Sequence, residues 1–410
     1  MALILVTGIV KKACGDGVLS DEVVTNYTTL SEVISTYWPI LVCSFLVSLV
    51  ATPLCRRFAL RRNIVDRPDD WLKPHGKPIP YLGGVAVFLG WAAGVLLALA
   101  LFAPISQITP APRGGPSMNA VMMGGVLVAG LAIMLLGLFD DLRLASAKVK
   151  LAVQVLVTFW LILVGLGDDT ILFAVRSTYG IQPWLILAYS VPLTLLITLG
   201  SCNATNLIDG MDGLCSGVLG IIAVGFLMIA VHLHLWGDWH PWDVQRVVLS
   251  LAMLGAALGF LPYNRNPAKI FMGDTGSMVL GLNVAIILLL FAKSSALRWL
   301  LGSVMVFGLP LADMLLTLVR RWRNQRPLMR GDRSHFYDQL LDRGVPLKRV
   351  VRISYALAAF FALMGCASIL LRTRYIVPVY FLTALLVAAA VKKYGMVRLD
   401  TRPDQDEHPS

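Results

Sequence analysis

The residues able to do chemistry gather in a few short stretches of an otherwise apolar chain. Asp140 and Asp141 are adjacent in GLFDDLR, residues 137–143. Asp209 and Asp212 stand i, i+3 in NATNLIDGMDGL, residues 203–214, each followed by glycine, with the amides of Asn203 and Asn206 just ahead. Asp274 sits in FMGDTGS, residues 271–277. Paired carboxylates offer the hard oxygen ligands that Mg²⁺ takes alongside substrate phosphates, or a site that accepts a proton. A glycine turn at a helix start adds unpaired N–H groups for an anion. Two basic stretches complement these acids. Lys73, His75 and Lys77 lie among prolines in DRPDDWLKPHGKPIPYLGG, residues 66–84. Arg330, Arg333, Ser334 and His335 lie in RPLMRGDRSHFYDQLLDRG, residues 326–344, a density suited to a diphosphate or sugar phosphate.

Each stretch alone has a plainer reading. Asp140 and Asp141 can be a solvated helix stop, and Asp274 with Thr275 a helix cap. Asp209 and Asp212 can be acids favoured by the macrodipole at a helix start. The basic loop can be a topogenic signal, and an isolated His335 a structural histidine. The number of such clusters, and where they fall, carries the argument.

The elements that must position them are membrane helices. Hydrophobic residues make up 57% of the 410, charged residues 14%, and mean hydropathy is +0.74; a soluble chain carries roughly 25% charged residues. Apolar runs long enough to cross a bilayer recur throughout. They predict an all-α polytopic integral membrane protein with about 11 spans, near residues 36–52, 82–104, 118–139, 149–167, 183–201, 213–236, 246–264, 276–292, 296–319, 350–371 and 375–391. Residues 1–35 are expected to form an extramembrane segment, 36–392 a transmembrane catalytic domain, and 393–410 a cytoplasmic tail. The six cysteines are scattered singly and read as small apolar residues.

Orientation follows from charge. Of the 35 Lys and Arg, 25 fall on the side reached after the first span. The positive-inside rule makes that side cytoplasmic, with the N-terminus outside. The net charge of +11 is thereby explained without nucleic acid. All five polar clusters fall on this same face, with no Walker or dinucleotide fingerprint. Together they predict metal-assisted chemistry on a phosphorylated cytosolic substrate and a membrane-embedded partner.

In these motifs and their order the chain resembles the polyprenyl-phosphate N-acetylhexosamine-1-phosphate transferases, over about residues 40–345. The resemblance implies a bacterial inner-membrane enzyme using Mg²⁺, or Mn²⁺ in its place. It would transfer N-acetylhexosamine 1-phosphate, most readily GlcNAc-1-phosphate, from a UDP-sugar to undecaprenyl phosphate, releasing UMP and starting a cell-envelope polysaccharide. By residue it implies that Asp274 ligates the metal, with Asp141 a second ligand. Asp140 and Asp141 bear on activation of the lipid phosphate, and Asn203, Asn206, Asp209 and Asp212 lie beside metal and nucleotide. Lys73, His75, Lys150, Arg330 and Arg333 contact substrate, and His335 serves catalysis. A homodimer is one option for its assembly.

Two positions depart from the family pattern. Phe336, Tyr337 and Asp338 follow His335 where further histidines are common, which argues against the phospho-MurNAc-pentapeptide transferase branch, the alternative reading. Tyr81 stands where an Arg is common. From another class, an ion-coupled transporter predicts ionisable groups near mid-membrane and inverted repeats; Asp313, inside the ninth expected span, is the main residue in its favour. A polytopic scaffold leaves the acid clusters unexplained.

Overall fold

The computed structural model describes residues 30–66, 78–108, 119–143, 145–167, 183–236, 242–294, 296–325 and 335–396. They form thirteen α-helices and one two-stranded ribbon. The helices are α1 (Leu30–Arg61), α2 (Gly83–Ile108), α3 (Ala120–Arg143), α4 (Ala147–Leu163), α5 (Pro183–Leu207), α6 (Leu214–Trp236), α7 (Asp243–Asn264), α8 (Gly273–Ala292), α9 (Leu297–Val306), α10 (Gly308–Arg323), α11 (Phe336–Asp342), α12 (Leu347–Ser368) and α13 (Thr373–Lys393).

Eight of these helices are long and apolar enough to cross a bilayer, and nine if the bent pair α9 and α10 counts as one span. The expected eleven spans are not all reached by length and apolarity among the described residues. Helix α4 explains part of the difference: its 17 residues extend about 25 Å, short of a hydrocarbon core of about 30 Å.

Helix α8 is the axis of the bundle. Every residue from Thr275 to Ala292 is buried, and α5, α3, α2 and α7 pack around it. A helix apolar on all sides is what such a central position demands. Its one mid-length amide is satisfied. Asn283 accepts from the Trp91 indole at 2.9 Å and donates to the Leu249 carbonyl at 3.3 Å.

Helices α1 and α7 approach closely because small residues line the seam. A Cβ added at Gly259 would lie 2.4 Å from the Phe45 carbonyl oxygen, the close backbone approach that small-residue seams allow in lipid. At the opposite end from the acid motifs, Arg246 is fully buried. It ion-pairs with Asp243 and donates to the Leu290 carbonyl and, at 2.8 Å, to Ser294. This clip joins α7 to α8 and makes Asp243 a structural anchor.

The ninth expected span, 296–319, is broken. Helices α9 and α10 meet at 72°. Pro310 has no N–H to bond back to the Val306 carbonyl, which weakens a continuous helix there. Helix α10 turns its polar residues inward: Asp313, Thr317, Arg320 and Arg321 are buried, while Leu315, Leu318, Val319 and Trp322 are exposed. An apolar outer face suits lipid.

A ribbon steadies the entry to α2. Strands β1 (Val65–Asp66) and β2 (Ile79–Pro80) pair antiparallel, Asp66 opposite Ile79. The Pro80 carbonyl accepts from Phe271 N–H at 2.9 Å and the Phe271 carbonyl from Gly83 N–H at 3.0 Å. The ribbon is thus tied to the segment leading into α8.

Candidate active site

Four separate segments converge on the N-terminus of α8. The end of α3 supplies Asp140 and Asp141, the start of α4 supplies Lys150, the end of α5 supplies Asn206, and α8 supplies Asp274. Ser146 caps α4 by accepting the Val149 N–H, which sets Lys150 one turn into the helix.

The Lys150 ammonium bridges two carboxylates. It ion-pairs with Asp140 and stands 2.6 Å from Asp274 Oδ2. The Asn206 amide donates to the other oxygen, Oδ1, at 2.8 Å, and to Ser277 Oγ at 3.1 Å. Asp140 Oδ1 accepts the Ala145 N–H at 2.6 Å, which closes the turn between α3 and α4. Two negative charges therefore share one positive charge at a point where oxygen atoms predominate.

Asp141 is used differently. Its Oδ1 accepts the Asp274 N–H at 2.9 Å; its Oδ2 accepts the Thr275 N–H at 3.1 Å and the Thr275 hydroxyl at 2.6 Å. A carboxylate on the first N–H groups of a helix satisfies orphan donors and meets the positive end of the dipole. Gly273 adopts φ +67°, and a Cβ there would sit 2.6 Å from Asp141 Oδ2, so only glycine lets the carboxylate this close. The sequence reading expected a metal ligand at Asp141; both of its oxygens are already engaged in holding α8.

The loop between α5 and α6 forms a second wall. Asp209 N–H donates to the Asn206 carbonyl at 3.2 Å. Burial, with the negative charges of Asp274 and Asp141, pushes the Asp209 carboxyl well above the usual carboxylate range. Asp212 is tied to the segment that leads into α8. Its Oδ2 accepts from the Asn266 amide and the Ala268 N–H, both at 2.9 Å, so it orders the approach to α8. Asn203 donates to Gln154 at 3.1 Å and to the Leu199 carbonyl at 2.7 Å. That contact links α5 to α4.

His335 is buried at the start of α11, and its Nδ1 lies 2.8 Å from Asp313. Its neighbour Tyr337 donates a hydroxyl hydrogen bond to the Leu207 carbonyl at 2.7 Å. Burial and the charges of Asp338, Asp313 and Asp209 push the Tyr337 phenol well up. The histidine segment is thus fastened to the wall that carries Asn206 and Asp209. Lys73, His75, Arg330 and Arg333 lie outside the described residues.

Two residues border this cluster that the sequence reading did not assign to a site. Tyr81 hydrogen-bonds to Asp66, and its phenol is raised by burial and by the charges of Asp66, Asp141 and Asp274; it borders the acid cluster. Its place before the Gly-Gly of α2 was the available signal. Ser277 was the other, one turn beyond Asp274.

The arrangement suits a divalent cation. Among the described residues no group of three or more His, Cys, Asp or Glu is set to hold a metal. Asp140 and Asp274 nonetheless meet at a shared cation, and Mg²⁺ is commonly bound through one or two carboxylates plus substrate phosphates. The donor chemistry fits an ion whose remaining ligands arrive with the substrate.

The family described as Glycosyl transferase family 4 matches residues 123–292. The chain is 35% identical to a probable undecaprenyl-phosphate N-acetylglucosaminyl 1-phosphate transferase of Bacillus subtilis, over 78% of this chain and 82% of the relative. It is 34% identical to a decaprenyl-phosphate N-acetylglucosaminephosphotransferase of Mycobacterium tuberculosis, over 86% and 87%. It is 30% identical to a phospho-N-acetylmuramoyl-pentapeptide-transferase of Shouchella clausii, over 80% and 95%.

Proposed function

The chain belongs to glycosyl transferase family 4, and from that premise we propose how its residues divide the work of transfer. The protein is a multi-pass membrane enzyme that transfers N-acetylglucosamine 1-phosphate to a polyprenyl phosphate. The donor in our reading is a UDP-N-acetylhexosamine and the acceptor undecaprenyl phosphate. The acid cluster faces the cytoplasm of a bacterial inner membrane, where nucleotide sugars are found.

The observation that carries the residue assignment is the meeting of Asp140, Lys150, Asn206 and Asp274 from four segments at one point. Asp274 and Asp140 would hold Mg²⁺, or Mn²⁺, with Asp141 supporting them through α8. Bound there, the ion supplies Lewis-acid neutralisation of a diphosphate. Lys150 brings a positive charge to the same point and orients phosphate oxygens. Asn206 fixes the rotamer of Asp274. Asp209 lines the nucleotide side, and His335 approaches from the histidine segment.

An oxygen of the polyprenyl phosphate attacks the phosphorus bonded to the sugar. A new P–O–P linkage forms, the old one breaks, and UMP leaves. The acceptor phosphate is already largely ionised near neutral pH, so alignment contributes more than base strength.

The test is UMP release by purified protein with undecaprenyl phosphate, Mg²⁺ and a panel of UDP-N-acetylhexosamines. UMP formation with UDP-GlcNAc that stops in EDTA supports donor and ion. Absence of UMP with every sugar refutes the donor assignment.

A further inference from the structure

Asp313 is an ionisable side chain, 1% exposed, within the broken ninth span. Burying such a charge is costly unless it is paired and hydrogen-bonded. Here both oxygens are used. Oδ2 stands 2.8 Å from His335 Nδ1, and Oδ1 accepts the Phe336 N–H at 3.1 Å. Thr317, one turn further along α10, places its hydroxyl 3.3 Å from the same ring nitrogen. The His335 backbone N–H donates to Asp338 Oδ2 at 3.3 Å. The ring stacks on Tyr337 with centroids 5.3 Å apart and planes within 14°.

The ring orientation is therefore fixed by two elements, α10 and α11. The charged and titratable groups around it are Asp313 from α10, Asp338 and Tyr337 from α11, and Asp209 from the α5–α6 loop, whose charge reaches Tyr337. An ionised carboxylate only accepts, so a hydrogen bond from His335 to Asp313 requires the proton on Nδ1. The nitrogen left to act on a ligand is Nε2. Helix α10, set at 72° to α9, carries Asp313 on its buried face.

We propose that Asp313 is the positioning residue of His335, holding its Nδ1 proton and directing Nε2 to the diphosphate of the nucleotide-sugar donor. This rests on the reading above that His335 belongs to the donor site. The broken helix then has a task in the reaction: it delivers a buried carboxylate to the back of a histidine borne on a different segment.

The experiment is a double-mutant cycle on the full chain, reading UMP release with UDP-GlcNAc and undecaprenyl phosphate. In Asp313→Asn one of the two oxygen positions becomes an NH2 donor, so the native pair of contacts, one on each oxygen, is not kept. Loss of the group that orients a metal-bound histidine costs about 10- to 100-fold, and the same order is taken for His335. We expect Asp313→Asn to lower kcat by that factor with KM for UDP-GlcNAc nearly unchanged. We expect the same substitution to cost nothing further in a His335→Gln background. Equal losses in both backgrounds, or native turnover in Asp313→Asn, overturn the proposal. Native turnover in His335→Gln instead overturns the assignment of His335 to the donor site. A second measurement reads the native protein directly, with His335→Gln serving only to assign the signal. In ¹⁵N-histidine spectra of the native protein, the signal that disappears in His335→Gln must report a protonated Nδ1; a bare Nδ1 overturns the proposal.

Discussion

Asp141→Ala separates a helix-holding role from a metal-ligand role. The substitution removes three accepted hydrogen bonds, two from backbone N–H groups at the start of α8 and one from the Thr275 hydroxyl. A hydrogen bond to a charged group contributes about 1.5–3 kcal/mol net. Asp141 is half-buried, so water replaces part of what is lost, and contacts on one carboxylate do not add fully. The expected destabilisation is about 2–4 kcal/mol, a large share of the margin of a typical protein. The assay is reversible unfolding in mixed micelles with EDTA present, paired with a Mg²⁺ titration of UMP release. If Asp141 acts by holding α8, stability falls without any metal, and the half-saturating Mg²⁺ stays near native while kcat drops. A variant as stable as native in EDTA, with half-saturating Mg²⁺ raised about tenfold or more (about 1.4 kcal/mol), refutes the reasoning and makes Asp141 a direct ligand.

Two further outcomes follow from the charges. Lys150→Met leaves Asp140 and Asp274 facing each other without their shared cation. Because Lys150 is about a quarter exposed, the loss is discounted to about 1–2 kcal/mol. Mg²⁺ should raise the melting temperature of this variant more than that of the native protein, since the ion then supplies the missing charge; equal shifts would contradict that. Asp209 gives a pH signature. Its folded pKa is raised, so the folded state binds the proton more tightly than the unfolded chain, and ionisation costs stability as pH climbs from about 4, the ordinary carboxylate value. The stability of Asp209→Asn relative to native should therefore increase with pH above that point and level off beyond the folded pKa, as read by urea unfolding at a series of pH values. A relative stability that falls with pH would contradict the sign.

How much was legible depended on whether a residue's partner is close in sequence or remote. Asp140, Asp274 and Asn206 stood out because carboxylates and amides are costly beside apolar runs, and topology gathered them on one face. The sharing of Lys150 by Asp140 and Asp274 was not readable, since it couples residues 124 apart for Asp274. Asp141 and Asp140 are neighbours with the same side chain, and no local rule distinguishes the one that caps α8 from the one that pairs with Lys150. Asp212 read as a site acid because of its spacing from Asp209; its partners Asn266 and Ala268 come from a loop more than fifty positions away. The span 296–319 looked continuous because mean hydropathy averages over a bend, although Pro310 and the inward polar row of Asp313 and Thr317 were local hints of a break. Asp313 itself was visible as an anomaly, and only the fold supplied His335.

The full enclosure of α8 has a consequence for how the enzyme spends its folding energy. A helix packed on every side from Thr275 to Ala292, with its first N–H groups held by Asp141, has little freedom to tilt or slide. The carboxylate at its tip is therefore a fixed reference point, and the reorganisation that mobile charges would undergo at each turnover is settled once, when the bundle assembles. In the proposed reaction a soluble donor and a lipid acceptor would meet at this stationary tip, their alignment a matter of arrival rather than of the tip adjusting to either.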